Sequence, residues 1–291
     1  MLSKKNQLIL ILIALNVYLA FCSYQDFFNK KQIKYQNFNS SAIVIINNIT
    51  NYSNIILHTV NQKIIQDKLY KADEIFSTLA DINQFSQSNN FNNDISSVIY
   101  WIGNDNYLLS SSAGKINKPI NLSARKYLED ANKNVGKITI SEPVIGAISN
   151  EYILPIALTA TGSKGYIIGT SVLAINIKEI INKINSLNIE NGDFAIFYQN
   201  KLLLSSSDNL IKNNEKSSEK SQILTGLLSK KSDDYLNFVK NDDNFKIIYK
   251  IKTANLGAEL KKILLPYFLQ LIILIYLLFG NYFSSKNLDK N

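Results

Sequence analysis

The sequence predicts an α+β protein in which two tandem antiparallel-sheet modules follow a long N-terminal helix, with a transmembrane helix at either end. Three patterns predict this fold class. Two apolar segments with basic flanks lie near the chain ends. A long stretch at helical spacing, almost free of Gly and Pro, follows the first segment, and short β-type runs separated by turn residues fill the remainder.

The first apolar segment, residues 8–22, follows a short basic head at residues 1–7. Its 15 residues fall between a cleavable signal, about 7–15, and a spanning helix, about 17–25. Three interpretations remain open: an uncleaved anchor over residues 8–23, a cleaved signal, and a lipoprotein processed at Cys22. The bulky Phe21 disfavours both kinds of processing, so the uncleaved anchor is favoured.

The second apolar segment, residues 263–283, is long enough to span a bilayer, with Pro266 and Gln270 near its outer end where water or headgroups are in reach. Lysines precede the first span and follow the second, which places both chain ends, including the tail at 284–291, in the cytoplasm. Residues 24–260 are then extracytoplasmic. The heavy use of Asn, Ile and Lys is typical of an AT-rich coding sequence, which favours a two-pass protein of a bacterial inner membrane. The net charge of +8 gathers at the span edges, which favours contact with the lipid bilayer and argues against nucleic acid as a partner.

Residues 24–90 are predicted to form a stalk. Apolar residues recur there at helical spacing, so we expect one long helix, which the Asn-rich segment 47–54 could bend. The apolar surface that these residues give the helix is larger than one small sheet can cover. We therefore expect a homodimer through this helix.

Two hairpins define the part of the chain beyond the stalk. Residues 96–102 and 106–112 form one hairpin, and residues 194–198 and 201–207 form another with the same Leu-Leu-Ser-Ser-Ser ending. We interpret this repeat as two similar modules, a membrane-distal one at 91–188 and a smaller membrane-proximal one at 189–260.

The remaining helices and strands are predicted from the spacing of apolar residues and from the turn residues between them. The distal module adds two helices and three strands, at residues 122–132, 178–187, 137–143, 151–160 and 165–177. The proximal module adds a polar excursion and two strands joined at 242–243, at residues 209–222, 235–241 and 244–252. Gly162, Gly165 and Gly169 lie between strands and are predicted to be turn residues.

Several short runs of the distal module carry a family resemblance: Arg125-Lys126-Tyr127, Ile140-Ser141-Glu142-Pro143, Pro155-Ile156, and the stretch from Gly169 through Val172-Leu173-Ala174-Ile175-Asn176-Ile177. Over about residues 97–180 they resemble the Cache family of extracytoplasmic sensors, which has PAS-like modules. The long helix and the second hairpin extend the resemblance to the double-Cache form. In that family, an Arg-x-aromatic motif at a helix start and an acidic residue near the last strand hold the carboxylate and amine of small ligands. Here Tyr127 stands where Trp is usual and Asn176 where Asp is usual.

The candidate ligand-binding residues are Arg125, Tyr127, Trp101, Tyr107, Tyr152 and Asn176. Arg125 is the chain's one arginine. Its planar guanidinium can donate two parallel hydrogen bonds to a carboxylate, which a lysine ammonium cannot do. The alternative for Arg125 is a surface ion pair with Glu129, one turn later. Tyr127 either covers a ligand or closes the core. Core packing is the alternative for Trp101 and Tyr107, and Asn176 is otherwise a strand-end residue.

Signals of catalysis are missing from the sequence. His58 is the sole histidine and has no Cys or carboxylate at metal-ligand spacing, so we expect no enzyme, no metal and no cofactor. The resemblance implies a membrane-anchored sensor that binds a small anionic or amino-acid-like ligand. Because about eight residues follow the second span, we expect the signal to pass to a separate transmitter protein. The alternative is a remnant or structural envelope protein that keeps the fold without ligand binding or output.

Overall fold

The computed structural model of the chain describes residues 4–69, 71–88, 95–187, 192–199, 201–206, 235–241 and 245–288. An α+β chain with a long N-terminal helix and antiparallel sheets was expected, and this coarse fold class is confirmed. The polar excursion at 209–222 and the turn at 242–243 lie outside the described residues. The chain divides into two compact units.

The first unit consists of Met1–Asn37, Lys231–Asn237 and Lys250–Asn291. It contains the start of helix α1 (Lys4–Gln66) and the whole of the final helix, α5 (Thr253–Leu288). Both helices are long and apolar enough to cross a membrane, by length and composition. Helix α5 continues through Pro266 without ending.

Polar side chains join the two helices of this unit. Three contacts of 2.8 Å are formed: Asn16 with Gln270, Ser23 with Tyr267, and Lys31 with Glu259. A polar side chain within a bilayer is costly unless it finds a partner. The pairing with Asn16 gives the Gln270 side-chain oxygen that partner, and contact of this exposed side chain with water or headgroups stays a prediction.

The second unit consists of Phe38–Lys230 and Phe238–Tyr249. The predicted single stalk helix is wrong in one respect, because α1 ends at Gln66 and a separate helix, α2, spans Ala72–Ser88. The end of α1 is a Schellman motif: Lys68 adopts a left-handed φ of 49°, and the Leu69 amide donates to the Ile64 carbonyl at 3.1 Å. The break comes after the Asn-rich segment, which stays helical.

The larger sheet of this unit has seven strands. They are β1 (Ser97–Gly103), β2 (Tyr107–Ser111), β3 (Ile120–Asn121), β4 (Thr139–Ile140), β5 (Val144–Ile145), β6 (Tyr152–Thr161) and β7 (Ile167–Asn176). Their order is β3-β2-β1-β7-β6-β4, and β5 also pairs with β6. The predicted first hairpin and the two long strands are confirmed. The predicted strand at 137–143 is reduced to two residues, for a reason given below.

Helices cover both faces of this sheet. Helix α3 (Lys126–Lys133) buries Tyr127, Leu128 and Ala131 in one cluster with Tyr100 and Ile102 of β1. On α1, Asn61 donates to the Leu158 carbonyl of β6, and α2 packs on β1 and β2. Helix α4 (Ile177–Asn185) continues directly from β7, close to the predicted bounds.

A second sheet has four strands in the order β10-β11-β8-β9. They are β8 (Gly192–Tyr198), β9 (Lys201–Ser205), β10 (Tyr235–Asn241) and β11 (Phe245–Lys252). The predicted second hairpin is β8–β9, with Tyr198 opposite Lys201. In this order β9 is an edge strand, so its described residues have a strand partner on one side. That edge position matters for the site.

Candidate ligand-binding site

A cavity of about 190 Å³ lies at the start of α3. Its walls come from the first residues of α3, from the segment between β4 and β5, from the start of β6, and from β9. The lining residues are Arg125, Lys126, Tyr127, Asp130, Ser141, Glu142, Pro143, Val144, Ile145, Tyr152 and Lys201. All of them belong to the second unit.

The cavity exists because the chain leaves the sheet ladder between β4 and β5. Ile140 pairs with Ile156, and Val144 pairs with Ile153. The chain therefore advances four residues from β4 to β5 while the partner strand β6 advances three. One extra residue of this kind forms a bulge that bends the strand. Pro143 lies within the bulge and has no backbone N–H to donate to a ladder. The Ser141 amide still donates to the Pro155 carbonyl of β6 at 3.2 Å, and residues 142–143 beyond it leave the ladder, so that the segment 141–143 forms a wall of the cavity.

Arg125 is the N-cap residue of α3, with an extended backbone at φ −85° and ψ 114°. A guanidinium has no hydrogen-bond acceptor, so this N-cap cannot satisfy the first amides of the helix as Ser or Asp would. The side chain is half-buried and, among the described residues, has neither an ion pair nor a hydrogen bond. Glu129, the alternative partner, is paired with Lys133 instead. The guanidinium of Arg125 and the uncapped backbone amides at the start of α3 are therefore both at one end of the cavity.

Tyr127 is both a core residue and a lining residue. It is only 4% exposed and packs in the cluster with Leu128 and Tyr100. Burial raises the pKa of Tyr127 to about 12, while the positive charge of Arg125 acts in the opposite direction. The phenol is therefore neutral at physiological pH. Its hydroxyl has no hydrogen-bond partner in the part of the chain that the structure describes, so a donor is left for a molecule in the cavity.

Two other charged side chains of the cavity, Asp130 and Lys201, are paired with each other. The Asp130 carboxylate accepts from the Lys201 ammonium at 3.0 Å and from the Ser141 hydroxyl at 3.4 Å, both at Oδ2. The two ionic side chains are 32% (Lys201) and 18% (Asp130) exposed. Glu142 adds a second carboxylate to the lining. The site therefore offers positive and negative groups a few ångströms apart.

Three of the predicted site residues, Arg125, Tyr127 and Tyr152, line this cavity, and three do not. Trp101 alternates with Tyr100 and Ile102 along β1, so it faces the other side of the sheet from α3. Its indole lies over Gly169, where an added Cβ would come within 2.7 Å of the ring. Gly169 is thus a strand residue, and its prediction as a turn residue is wrong.

Tyr107 and Asn176 have local partners elsewhere. The hydroxyl of Tyr107 accepts from Asn121 at 3.4 Å, and its side chain is more than a third exposed. Asn176 is the N-cap of α4: its side-chain oxygen accepts from the Lys178 amide at 2.9 Å, and its amide donates to Glu151 at 2.7 Å. The Asn at this position therefore has a structural explanation as a helix cap.

A second, more open cavity of about 420 Å³ lies between α1 and β6. It is lined by His58, Asn61 and neutral side chains, and no carboxylate, lysine or arginine contributes to its described lining. It is larger than the cavity at α3, but apart from the imidazole of His58 its described lining has no ionisable side chain to hold a charged ligand. We therefore regard the cavity at α3 as the candidate site.

Sequence reasoning missed Asp130, Ser141, Glu142 and Lys201 as lining residues. Asp130 follows Tyr127 by three positions, a spacing that places both on one helix face, so a local signal was present. Lys201 lies 71 positions beyond Asp130 and comes from the second sheet. No local pattern predicts that contact.

No family model and no curated protein matches this chain. Solved structures do match it. The sensor domain of the V. cholerae histidine kinase DctB is 13% identical, with a TM-score of 0.54 and coverage of 79% of this chain and 98% of that one. The ligand-binding domain of the Pseudomonas fluorescens chemoreceptor CtaA, solved with L-serine, is 16% identical, with a TM-score of 0.52 and coverage of 77% and 99%. The sensory domain of the Campylobacter jejuni chemoreceptor Tlp3, solved with isoleucine bound, is 10% identical, with a TM-score of 0.51 and coverage of 78% and 95%.

The chain has the fold of Cache-type extracytoplasmic sensor domains. At 10–16% identity the likeness concerns the fold. The Cache resemblance predicted from the residues around Arg125 is confirmed at that level.

Proposed function

We propose that this chain is a membrane-anchored extracytoplasmic sensor whose cavity at α3 binds a small molecule that carries a carboxylate. The observation that carries the proposal is the half-buried guanidinium of Arg125, which has no ion pair among the described residues and lies beside uncapped helix amides. Helix amides and a guanidinium fork both favour an anion, and together they can bind one carboxylate.

An amino-acid-like ligand fits the remaining groups of the cavity. Asp130 and Glu142 supply negative charge for an ammonium group, and the hydroxyl of Tyr127 supplies a further donor. The volume of about 190 Å³ is below the ~300–1,000 Å³ of pockets for drug-sized ligands, which favours a small metabolite. Two of the solved sensor domains with this fold were obtained with isoleucine and L-serine. We propose binding without catalysis, metal or cofactor.

The proposed arrangement in the membrane follows the lysine flanks. Both chain ends are cytoplasmic, and residues 24–260 are outside and contain two tandem PAS-like modules, with boundaries near 91–188 and 189–260. The two helices apolar enough to span a membrane support this arrangement. A reporter inserted at the exposed turn of Gly114 should be active outside the cytoplasm, and one fused after Asn291 inside. Cytoplasmic activity of the Gly114 fusion would contradict the topology.

A homodimer through α1 and a separate transmitter protein complete the proposal. Val44 and Ile55 are 55% and 56% exposed on α1 although both are apolar. Their separation of eleven residues is about three helical turns, so they share one helix face. A second copy of the same face would cover them.

A thermal-shift screen of the full-length protein in detergent tests the proposal. A ligand that binds only the folded state must raise the melting temperature. The screen uses small carboxylates, amines and the twenty proteinogenic amino acids, and each compound that stabilises the wild type is repeated with Arg125→Ala. We expect a carboxylate-bearing compound to stabilise the wild type and to lose most of its effect on the variant. Stabilisation that is unchanged in Arg125→Ala would overturn the site.

One observation favours the alternative of a remnant or structural protein. Asp130 already has a partner of the chain's own, Lys201, and the cavity is small. If no compound of the screen stabilises the protein, this alternative is the better account.

A further inference from the structure

The ion pair between Lys201 and Asp130 places an ammonium group from the second sheet inside the candidate cavity. Lys201 is the first residue of β9, directly after the hairpin turn, and Asp130 lies on α3. Their atoms Nζ and Oδ2 are 3.0 Å apart, and both side chains are lining residues. The contact thus joins the edge strand of the second sheet to the helix that begins at Arg125.

The chemistry of this contact is that of a ligand amine on a carboxylate. A lysine ammonium and the ammonium of an amino acid are both compact cations that donate three hydrogen bonds. Asp130 is 18% exposed and already accepts from Lys201 and from Ser141 at one oxygen, Oδ2. An ammonium group that binds Asp130 at this oxygen therefore competes with that of Lys201.

We propose that Lys201 is a tethered competitor for the amine subsite of the cavity, with Asp130 as the carboxylate for which it competes. This inference rests on the proposed function and names its ligand class, a molecule with both a carboxylate and an ammonium group. The carboxylate binds at Arg125 and the start of α3. Asp130 lies five residues further along, about 7 Å down the helix axis, and at that end the ligand ammonium replaces Lys201.

Two consequences follow. A ligand without an ammonium group leaves the Lys201–Asp130 pair intact, whereas a zwitterionic ligand must displace Lys201, so Lys201 lowers the affinity for zwitterionic ligands relative to simple carboxylates. Displacement of Lys201 also removes the described side-chain contact between β9 and α3. Occupancy of the cavity by a zwitterion is thereby communicated to the β8–β9 hairpin, whereas occupancy by a simple carboxylate is not.

The test compares matched ligands on matched variants of the full-length protein in detergent. The twenty proteinogenic amino acids are titrated against wild type and Lys201→Met, which keeps an unbranched side chain as far as Cε and removes the ammonium. Each amino acid that binds is paired with the acid that lacks only the amino group, as propionate is paired with alanine. Lys133→Met is the control, because Lys133 also pairs with a carboxylate of α3, that of Glu129, but outside the cavity.

We expect the ratio of amino-acid affinity to deaminated-acid affinity to rise roughly fivefold in Lys201→Met, which is about 1 kcal/mol for a partly exposed ion pair converted at ~1.4 kcal/mol per tenfold. The ratio should be unchanged in Lys133→Met. An unchanged or lower ratio in Lys201→Met overturns the inference, as does the absence of amino-acid binding to both proteins. If amino-acid binding is lost in Arg125→Ala but the ratio of amino-acid affinity to deaminated-acid affinity is the same in wild type and Lys201→Met, the inference fails and the proposed function stands.

Discussion

Replacement of Arg125 separates a binding role from a structural one. The structure makes the expected cost of folding small, because the side chain has no ion pair or hydrogen bond among the described residues and provides no cap to α3. An exposed or half-exposed change of this kind usually alters stability within about 0.5 kcal/mol. Arg125→Ala and Arg125→Lys should therefore both fold, with unfolding transitions close to that of the wild type.

The expected cost in binding is much larger. A hydrogen bond to a charged group contributes about 1.5–3 kcal/mol, which corresponds to a roughly 10- to 150-fold loss of affinity in Arg125→Ala. Arg125→Lys should lose nearly as much, since lysine keeps the charge but not the planar fork. Titration calorimetry of a compound found in the thermal-shift screen measures both. Unchanged affinity in Arg125→Ala, or a variant that does not fold, would refute the reasoning and assign Arg125 a structural role.

Three further changes test the pKa, the packing and the proposed dimer. Burial raises the pKa of Tyr127 to about 12 from 10 in the unfolded chain, so its contribution to stability is full below pH 10 and is lost as the pH rises towards 12. Relative to Tyr127→Phe, the wild type should lose about 1.4 kcal/mol of unfolding free energy at pH 11. Parallel pH profiles of the two proteins would contradict this. Gly169→Ala should lower stability by about 1–3 kcal/mol, because its Cβ would lie 2.7 Å from the Trp101 ring, and an unchanged melting temperature would show that the packing is looser. Replacing Val44 and Ile55 together by Asp should shift the full-length protein from dimer to monomer in light scattering, and a dimer that persists would place the interface elsewhere.

Elements with a strong local signal were predictable. The two hairpins follow from alternating runs around turn residues, and α4 follows from helical spacing. Helix α3 begins at Lys126, later than predicted, because Asn121 accepts from the amide of Ser123 and holds a turn before the helix. The location of Arg125 and Tyr127 at that helix start was predicted because both residues lie in one short motif.

Features that depend on distant or unusual contacts were not predictable. The end of α1 has Lys68 in the left-handed position, where Gly or Asn would give a recognisable signal. The reduction of the strand at 137–143 arises from pairing with β6, which the local sequence does not encode. Lys201 reaches Asp130 only through the tertiary packing of the second sheet, whose strand β9 contacts α4, and Trp101 faces away from the cavity because of the register of β1.

The location of the bound molecule tests the central claim most directly. Hydrogen exchange of the full-length protein in detergent, read by mass spectrometry with and without a stabilising compound, reports which backbone amides gain protection. We expect the largest gain in α3 from Lys126 onward and in the segment 141–145, which are the walls of the cavity at Arg125. Protection confined to other parts of the chain, with none at the start of α3, would contradict the account.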